Sequence, residues 1–121
     1  MKKFITLFSM MVMLAFTSQA AYYLVGSEPF GTGWSPNSGI EMTQESDGSY
    51  SYKATINGTV WFVLADGLAE SASDWDTFNN VYRFGPTTGV DQAVTAGAWV
   101  TTQRQGSGSG SYMFTGTGSE Y

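Results

Sequence analysis

Residues Tyr50–Asp66 read YSYKATINGTVWFVLAD, two runs of strand composition on either side of Asn57-Gly58. Asn-Gly between such runs is the strongest short-range sign of a two-residue hairpin turn, because both residues accept the positive φ that the turn requires. A turn there sets the register: Ile56 opposite Thr59, Ala54 opposite Trp61, Tyr52 opposite Val63 and Tyr50 opposite Ala65. Side chains alternate along a strand, so these residues share one face, and that face is almost wholly apolar. The other face carries Ser51, Lys53 and Thr55 against Val60, Phe62 and Leu64. The expectation is a half-buried antiparallel sheet, its core on the Tyr52/Trp61 face and its Lys53/Phe62 face outward or partly covered.

Working outward, Tyr22–Gly26 (YYLVG) is a short apolar strand, suited to a central, two-sided place. Ser27–Ser38 is rich in turn formers around Phe30 and Trp34. Gly31-x-Gly33 does not extend to a phosphate loop, since Pro36 stands where the third glycine belongs. Ile40–Thr43 reads as a brief strand, and Asp47-Gly48 as a turn into Tyr50. The series predicts an antiparallel meander. Beyond Asp66-Gly67, Leu68–Asn80 is polar and reads as a long loop with a helical turn capped by Ser71. Val81–Phe84, stopped by Gly85-Pro86, is a strand candidate, as are Gln92–Val94, Trp99–Gln103 and Tyr112–Thr115. Gly106–Ser111 (GSGSGS) is a turn or a linker. Short strands, 15 glycines and no amphipathic segment of helical length predict an all-β sandwich, with a small barrel as the alternative.

The first residues have a different character. Lys2 and Lys3, the apolar run Phe4–Phe16 and Ser18-Gln19-Ala20 match the three regions of a secretory signal peptide, too short for a membrane span. The expectation is a signal peptide over residues 1–20 and one domain over 21–121, with no membrane insertion after cleavage. There is no cysteine and no histidine, so thiolate or imidazole metal sites and Ser-His or Cys-His nucleophilic machinery are excluded. Without residues 1–20, Lys53, Arg83 and Arg104 stand against ten acidic residues, a balance still more negative than the −5 of the whole chain. A nucleic-acid binder needs a cationic footprint, and anionic membrane surfaces need one too. A neutral partner suits this charge better.

The pattern YYLVG…GTGWSPNSGIEM…DGSYSY…NGTVWFVLADG resembles the immunoglobulin-like starch- and glycogen-binding modules, especially domains of SusE/SusF-type outer-membrane starch-binding proteins. The likeness covers roughly Ala21–Asp76, about half the expected domain. It implies an immunoglobulin-like antiparallel β-sandwich and an exported, non-catalytic module for a neutral polysaccharide, starch or another α-glucan being favoured. In such modules the Trp of the opening turn stacks on sugar rings, and Trp34 stands there. A second stacking Trp follows the later Asp-Gly, and Trp75 is the nearest match, several residues further on. Where the pattern places a lysine four residues before the Asp, this chain has Phe62; the deduced register lets Lys53 replace it. SusE/SusF-type proteins are lipid-anchored and multidomain, whereas this chain has no cysteine for a lipid, so the expected destination is secreted, periplasmic or cell-surface without a lipid anchor. The family's sandwiches finish on a further apolar strand. Here the chain stops at Ser119-Glu120-Tyr121, which leaves a sandwich short of its last strand, a fragment or an early end.

Sugar recognition in water requires aromatic faces against pyranose C–H groups and a few oriented polar groups for hydroxyls. The candidate sugar-binding residues are Trp34, Trp75, Tyr82, Arg83 and Lys53. Trp34 serves equally as a plug for the open end of the core, Trp75 reads as exposed between Asp74 and Asp76, and Tyr82 and Arg83 alternate on one short strand. Arg83 is a hydroxyl donor or a surface ion-pair partner. Trp61 belongs to the core by the register, and Trp99 is undecided. Asp66, Glu70, Asp74 and Asp76 lack the D-x-[DN]-x-[DN]-G spacing of a calcium loop, and a domain of this size offers little room for a glycosidase cleft, so a solvated acidic loop is the default. No cofactor or metal is expected, and no enzyme. Asn57-Gly58-Thr59 fits a glycosylation sequon but reads more simply as a turn. The competing reading is a structural or protein-interaction sandwich of the cell envelope without a sugar site. Whether Trp34, Trp75 and Tyr82 form one arc separates the two.

Overall fold

The structure, a computed structural model, describes residues 21–30, 33–104 and 110–121. The expected signal peptide, Gly31 of the opening turn and most of the Gly106–Ser111 stretch lie outside the described residues. The chain is mostly β-sheet. Nine strands are described: β1 (Tyr23–Gly26), β2 (Ile40–Glu41), β3 (Thr43–Gln44), β4 (Tyr50–Ser51), β5 (Thr55–Ala65), β6 (Arg83–Pro86), β7 (Gln92–Ala93), β8 (Thr102–Arg104) and β9 (Tyr112–Glu120). One helical turn, α1 (Trp75–Thr77), runs into a wide π-type turn over Phe78–Tyr82 before β6. Among the described residues no helix is long and apolar enough to cross a membrane.

The Asn57-Gly58 hairpin does not form. Thr55–Ala65 is one continuous 11-residue strand that passes straight through both residues. Its partner along Thr55–Phe62 is β9, far away in sequence, with Thr59 opposite Thr115, Val60 opposite Phe114 and Phe62 opposite Tyr112. The register shifts between Ile56 and Asn57, where Gly118 is the extra residue on β9. Gly58 at φ 96° and Gly118 at φ 93° supply the positive φ of this bulged stretch. The conformational freedom read as a turn is therefore used in a bulge. By contrast, Asp47-Gly48 is a turn: Gly48 lies at φ 89°. The Asp47 carboxylate accepts bonds from the Ser49 hydroxyl and backbone N–H at 2.6 and 2.9 Å, which hold it below its ordinary pKa. That turn joins β3 and β4 into a separate two-stranded sheet.

The main sheet has seven strands, with the path β2-β1-β5-β6-β8 and β9 lying against β5. The expected meander is thus replaced by a closure between β5 and the C-terminal strand, and β7 pairs with β9 in parallel. β1 is central, between β2 and β5, as its unbroken apolar run predicts. Its register with β5 (Val25 opposite Val63, Tyr23 opposite Ala65) puts alternate side chains on the two faces of the sheet, and both faces carry a core. On one, Val25, Val63, Ala65, Ala69 and Phe78 pack together. Complete burial of Val25 and Val63 stabilises the fold by roughly 1.5–3 kcal/mol each. On the other, Leu24, Phe30, Ile56 and Val60 form a cluster flanked by Met42, Tyr52, Ala54, Phe62, Leu64 and Phe114.

This assignment reverses the expected faces. Tyr52 and Ala54 share the Phe62 side, not the Trp61 side. Trp61, expected in the core, is half-buried and pairs with Met113. The remaining strand expectations shift by a few residues: Val81 and Tyr82 belong to the π-type turn, Gly85 and Pro86 extend β6 instead of stopping it, and β9 continues well past Thr115. The helical turn is capped by Asp74 and not Ser71, Asp74 Oδ1 accepting from the Thr77 N–H at 3.0 Å.

Candidate functional site

Three of the sequence-derived candidates meet on the Val25/Val63/Phe78 cluster. Trp34, Trp75 and Tyr82, with Tyr23 and Leu68, are the partly buried side chains packed against it. Trp34 follows the strand β1 into its turn and lies in the left-handed region at φ 56°, its N–H donating to the Gly26 carbonyl at 3.1 Å. That bond fixes the Trp34 backbone at the end of a central strand. Trp75 opens α1 and sets its ring edge-on to Phe78, with centroids 5.7 Å apart and planes at 88°. The Ala69 N–H donates to the Pro36 carbonyl at 2.8 Å, tying the segment after Trp34 to the segment before Trp75. Tyr82 lies with its ring on Gly67, where a Cβ would fall within 2.5 Å of ring carbons. The glycine of Asp66-Gly67 is therefore needed for the close approach of an aromatic ring. Each of the three aromatics leaves part of its side chain in solvent. The arrangement offers C–H-binding aromatic surface over a rigid apolar base.

The other two candidates do not join them. Arg83 is a correction: only 7% exposed, it faces inward from β6 and donates to the Gly110 carbonyl at 3.1 Å and to Asn79 Oδ1 at 3.0 Å. Burial lowers its pKa and the nearby Asp91 opposes that, and a guanidinium stays charged throughout. It fastens the entry of β9 to β6 and is not presented to a ligand. Arg83→Met is expected to leave the Gly110 carbonyl without its donor and to cost about 1–3 kcal/mol, measured by urea denaturation. Lys53 is exposed in the link between β4 and β5. It cannot stand in for a lysine at Phe62, because Phe62 pairs with Tyr112 and Gly26 and packs its ring against Phe30 at 5.1 Å and Tyr112 at 5.7 Å.

The acidic residues near the patch have structural partners. Asp66 forms an ion pair with Arg104 at 2.6 Å, and the hydrogen bond raises the Arg104 pKa. Arg104 also donates to the Val81 carbonyl and lies 4.4 Å over the Phe84 ring. Asp74 is spent as the cap of α1. Among the described residues no group of three or more acidic side chains is placed to hold a metal ion.

Two features were not legible in the sequence. Trp99, between β7 and β8, is 99% exposed beside the exposed Val100. Its only sequence signal is an aromatic set among small residues, Thr95–Ala98, with no strand alternation. The second is an apolar groove of about 390 Å³ on the opposite side of the sheet from the Trp34/Trp75 patch, lined among others by Leu24, Phe30, Tyr52, Ile56, Phe62 and Phe114. The misread register had divided these residues between two faces. Comparison with family models, characterised proteins and solved structures finds no match.

Proposed function

We propose that this chain is an exported, non-catalytic carbohydrate-binding module for a neutral polysaccharide, an α-glucan being favoured. The observation that supports the reading is the convergence of Trp34, Trp75 and Tyr82, all half-buried, on one apolar cluster. Half-burial suits a stacking platform: one part of each ring is held by the core, and the rest meets the sugar without ordering a floppy side chain on binding. The acidic charge repels nucleic acids and anionic membranes but not a neutral glycan. The same reading takes the architecture as an immunoglobulin-like sandwich, with the β3–β4 hairpin in the second layer. In support, Met42 and Tyr52 from the hairpin region pack on the Leu24/Ile56/Val60 cluster, while a groove stays open beside them.

Native affinity electrophoresis of Ala21–Tyr121 through gels holding amylopectin, glycogen, xylan or no sugar tests it. The expected result is retardation by the α-glucans and its loss in Trp75→Ala, with circular dichroism verifying that the variant folds. Unretarded migration in every gel by folded protein overturns the reading. The apolar groove favours a second reading, a protein-interaction β-sandwich of the cell envelope, because its lining offers almost nothing to sugar hydroxyls.

A further inference from the structure

Among the described residues β5 is paired along nearly its whole length on one edge, and along one end alone on the other. On the first edge β9 covers Thr55–Phe62 and β6 continues along Leu64 and Ala65. On the other edge β1 covers only Phe62–Ala65. Trp61 is the last residue served there, its N–H donating to Ser27 Oγ at 2.9 Å and its carbonyl accepting from the Ser27 N–H at 2.9 Å. Backbone groups alternate between edges along a strand, so Thr59, Asn57 and Thr55 direct theirs to the same side as Trp61. Among the described residues no backbone partner meets them, and Thr55, Asn57, Gly58 and Thr59 are all exposed. An open edge of this kind is a template for a further strand.

The surroundings specify that strand. On one face of the edge lies the groove, into which Ile56, Phe30 and Phe62 turn. At Gly58 there is open space where a side chain would stand. Lys53, exposed just before β5, has no ion pair among the described residues; the carboxylate paired nearby, Glu120 opposite Thr55, belongs to β9 on the other edge. A second copy of this chain fits poorly. Pairing two such edges about Asn57 would bring Ile56 and Gly58 to the groove side, and Ile56 is already buried in its own core. The groove would stay unfilled, and two strongly acidic chains would be brought together.

We propose that Thr55–Thr59 is a strand-addition site for an extended segment of another polypeptide. That segment runs antiparallel to β5, carries apolar side chains at alternate positions facing the groove, and ends in a carboxylate opposite Lys53. Its backbone satisfies the open N–H and C=O groups of Thr55, Asn57 and Thr59, and its central apolar side chain occupies the space over Gly58. The site lies apart from the Trp34/Trp75 patch and does not depend on sugar binding.

The probe is the synthetic peptide Val-Thr-Leu-Thr-Val-Thr-Ser-Glu, added to 15N-labelled Ala21–Tyr121 and followed by amide shifts and hydrogen exchange. The expected result is slowing of exchange by tenfold or more at Thr55, Asn57 and Thr59, with Gly58 and Val60 already protected by β9. A peptide of the same composition in scrambled order, and one N-methylated at its central threonine, bind at least tenfold more weakly. Lys53→Glu, at an exposed position, weakens the original peptide several-fold. Absence of protection at those three amides, or equal binding of the N-methylated peptide, overturns the proposal. So does finding the same amides already protected in a dimer by sedimentation, which would assign the edge to a second copy.

Discussion

Phe78→Ala is expected to lower the stability of the domain by about 3–5 kcal/mol, the largest effect of any single truncation considered for this fold. Phe78 is fully buried and joins the wide turn before β6 to Val25 and Val63 on the central strands. It is also the ring against which Trp75 stands edge-on. Truncation removes the transfer free energy of a whole ring and leaves a cavity that strands on a hydrogen-bonded sheet cannot close. The loss is a large part of the roughly 5–15 kcal/mol that holds a typical domain. Thermal unfolding followed by circular dichroism measures it. A fall of less than about 1 kcal/mol would mean that Phe78 is not seated as described. Because Trp75 loses its support, near-ultraviolet dichroism is expected to weaken along with stability.

Gly26→Ala is expected to cost about 2–4 kcal/mol although it adds one methyl group. Gly26 ends β1 opposite Phe62, and a Cβ there would collide with the Trp61 carbonyl and come within 2.8 Å of Phe62 Cα. Those are backbone atoms of the central strand, so no rotamer change relieves the clash. β1 must move off β5, and the Ser27–Trp61 bonds are the first to lengthen. Overpacking contributes roughly 1–3 kcal/mol. Each hydrogen bond lost adds about 1 kcal/mol. Urea denaturation with an unchanged m-value is the measurement. Neutral behaviour would contradict the β1–β5 register.

Strand composition was legible in the sequence where side chains state it alone. The apolar run of β1 marked a central strand, and the run after Asn57-Gly58 and Tyr112–Thr115 were marked as strands by β-branched and aromatic residues. Pairing was not legible. Asn57-Gly58 announces only that the backbone adopts positive φ, and a bulge uses that freedom as well as a turn does. Which one forms is decided by β9, whose approach to β5 is a long-range contact that no local pattern encodes. One wrong turn then moved Tyr52 and Ala54 to the wrong face, divided the groove and set Lys53 opposite Phe62. The site followed the same rule. Trp34 and Trp75 come from signals in turn-rich segments and Tyr82 from a short strand candidate, and the three share one cluster. Arg83 was misjudged because its partners, Gly110 and Asn79, are fixed only once β9 enters beside β6.

Whether Trp34 and Trp75 meet a sugar is decided by indole N–H resonances during titration with maltoheptaose. The four tryptophans report separately: Trp34 and Trp75 on the patch, Trp61 half-buried beside Met113, and Trp99 in full solvent. The Trp34 and Trp75 signals are expected to shift together along one saturable curve while Trp61 and Trp99 stay in place. Four unmoved indoles, or a shift confined to Trp99, would rule out sugar binding at the Trp34/Trp75 patch.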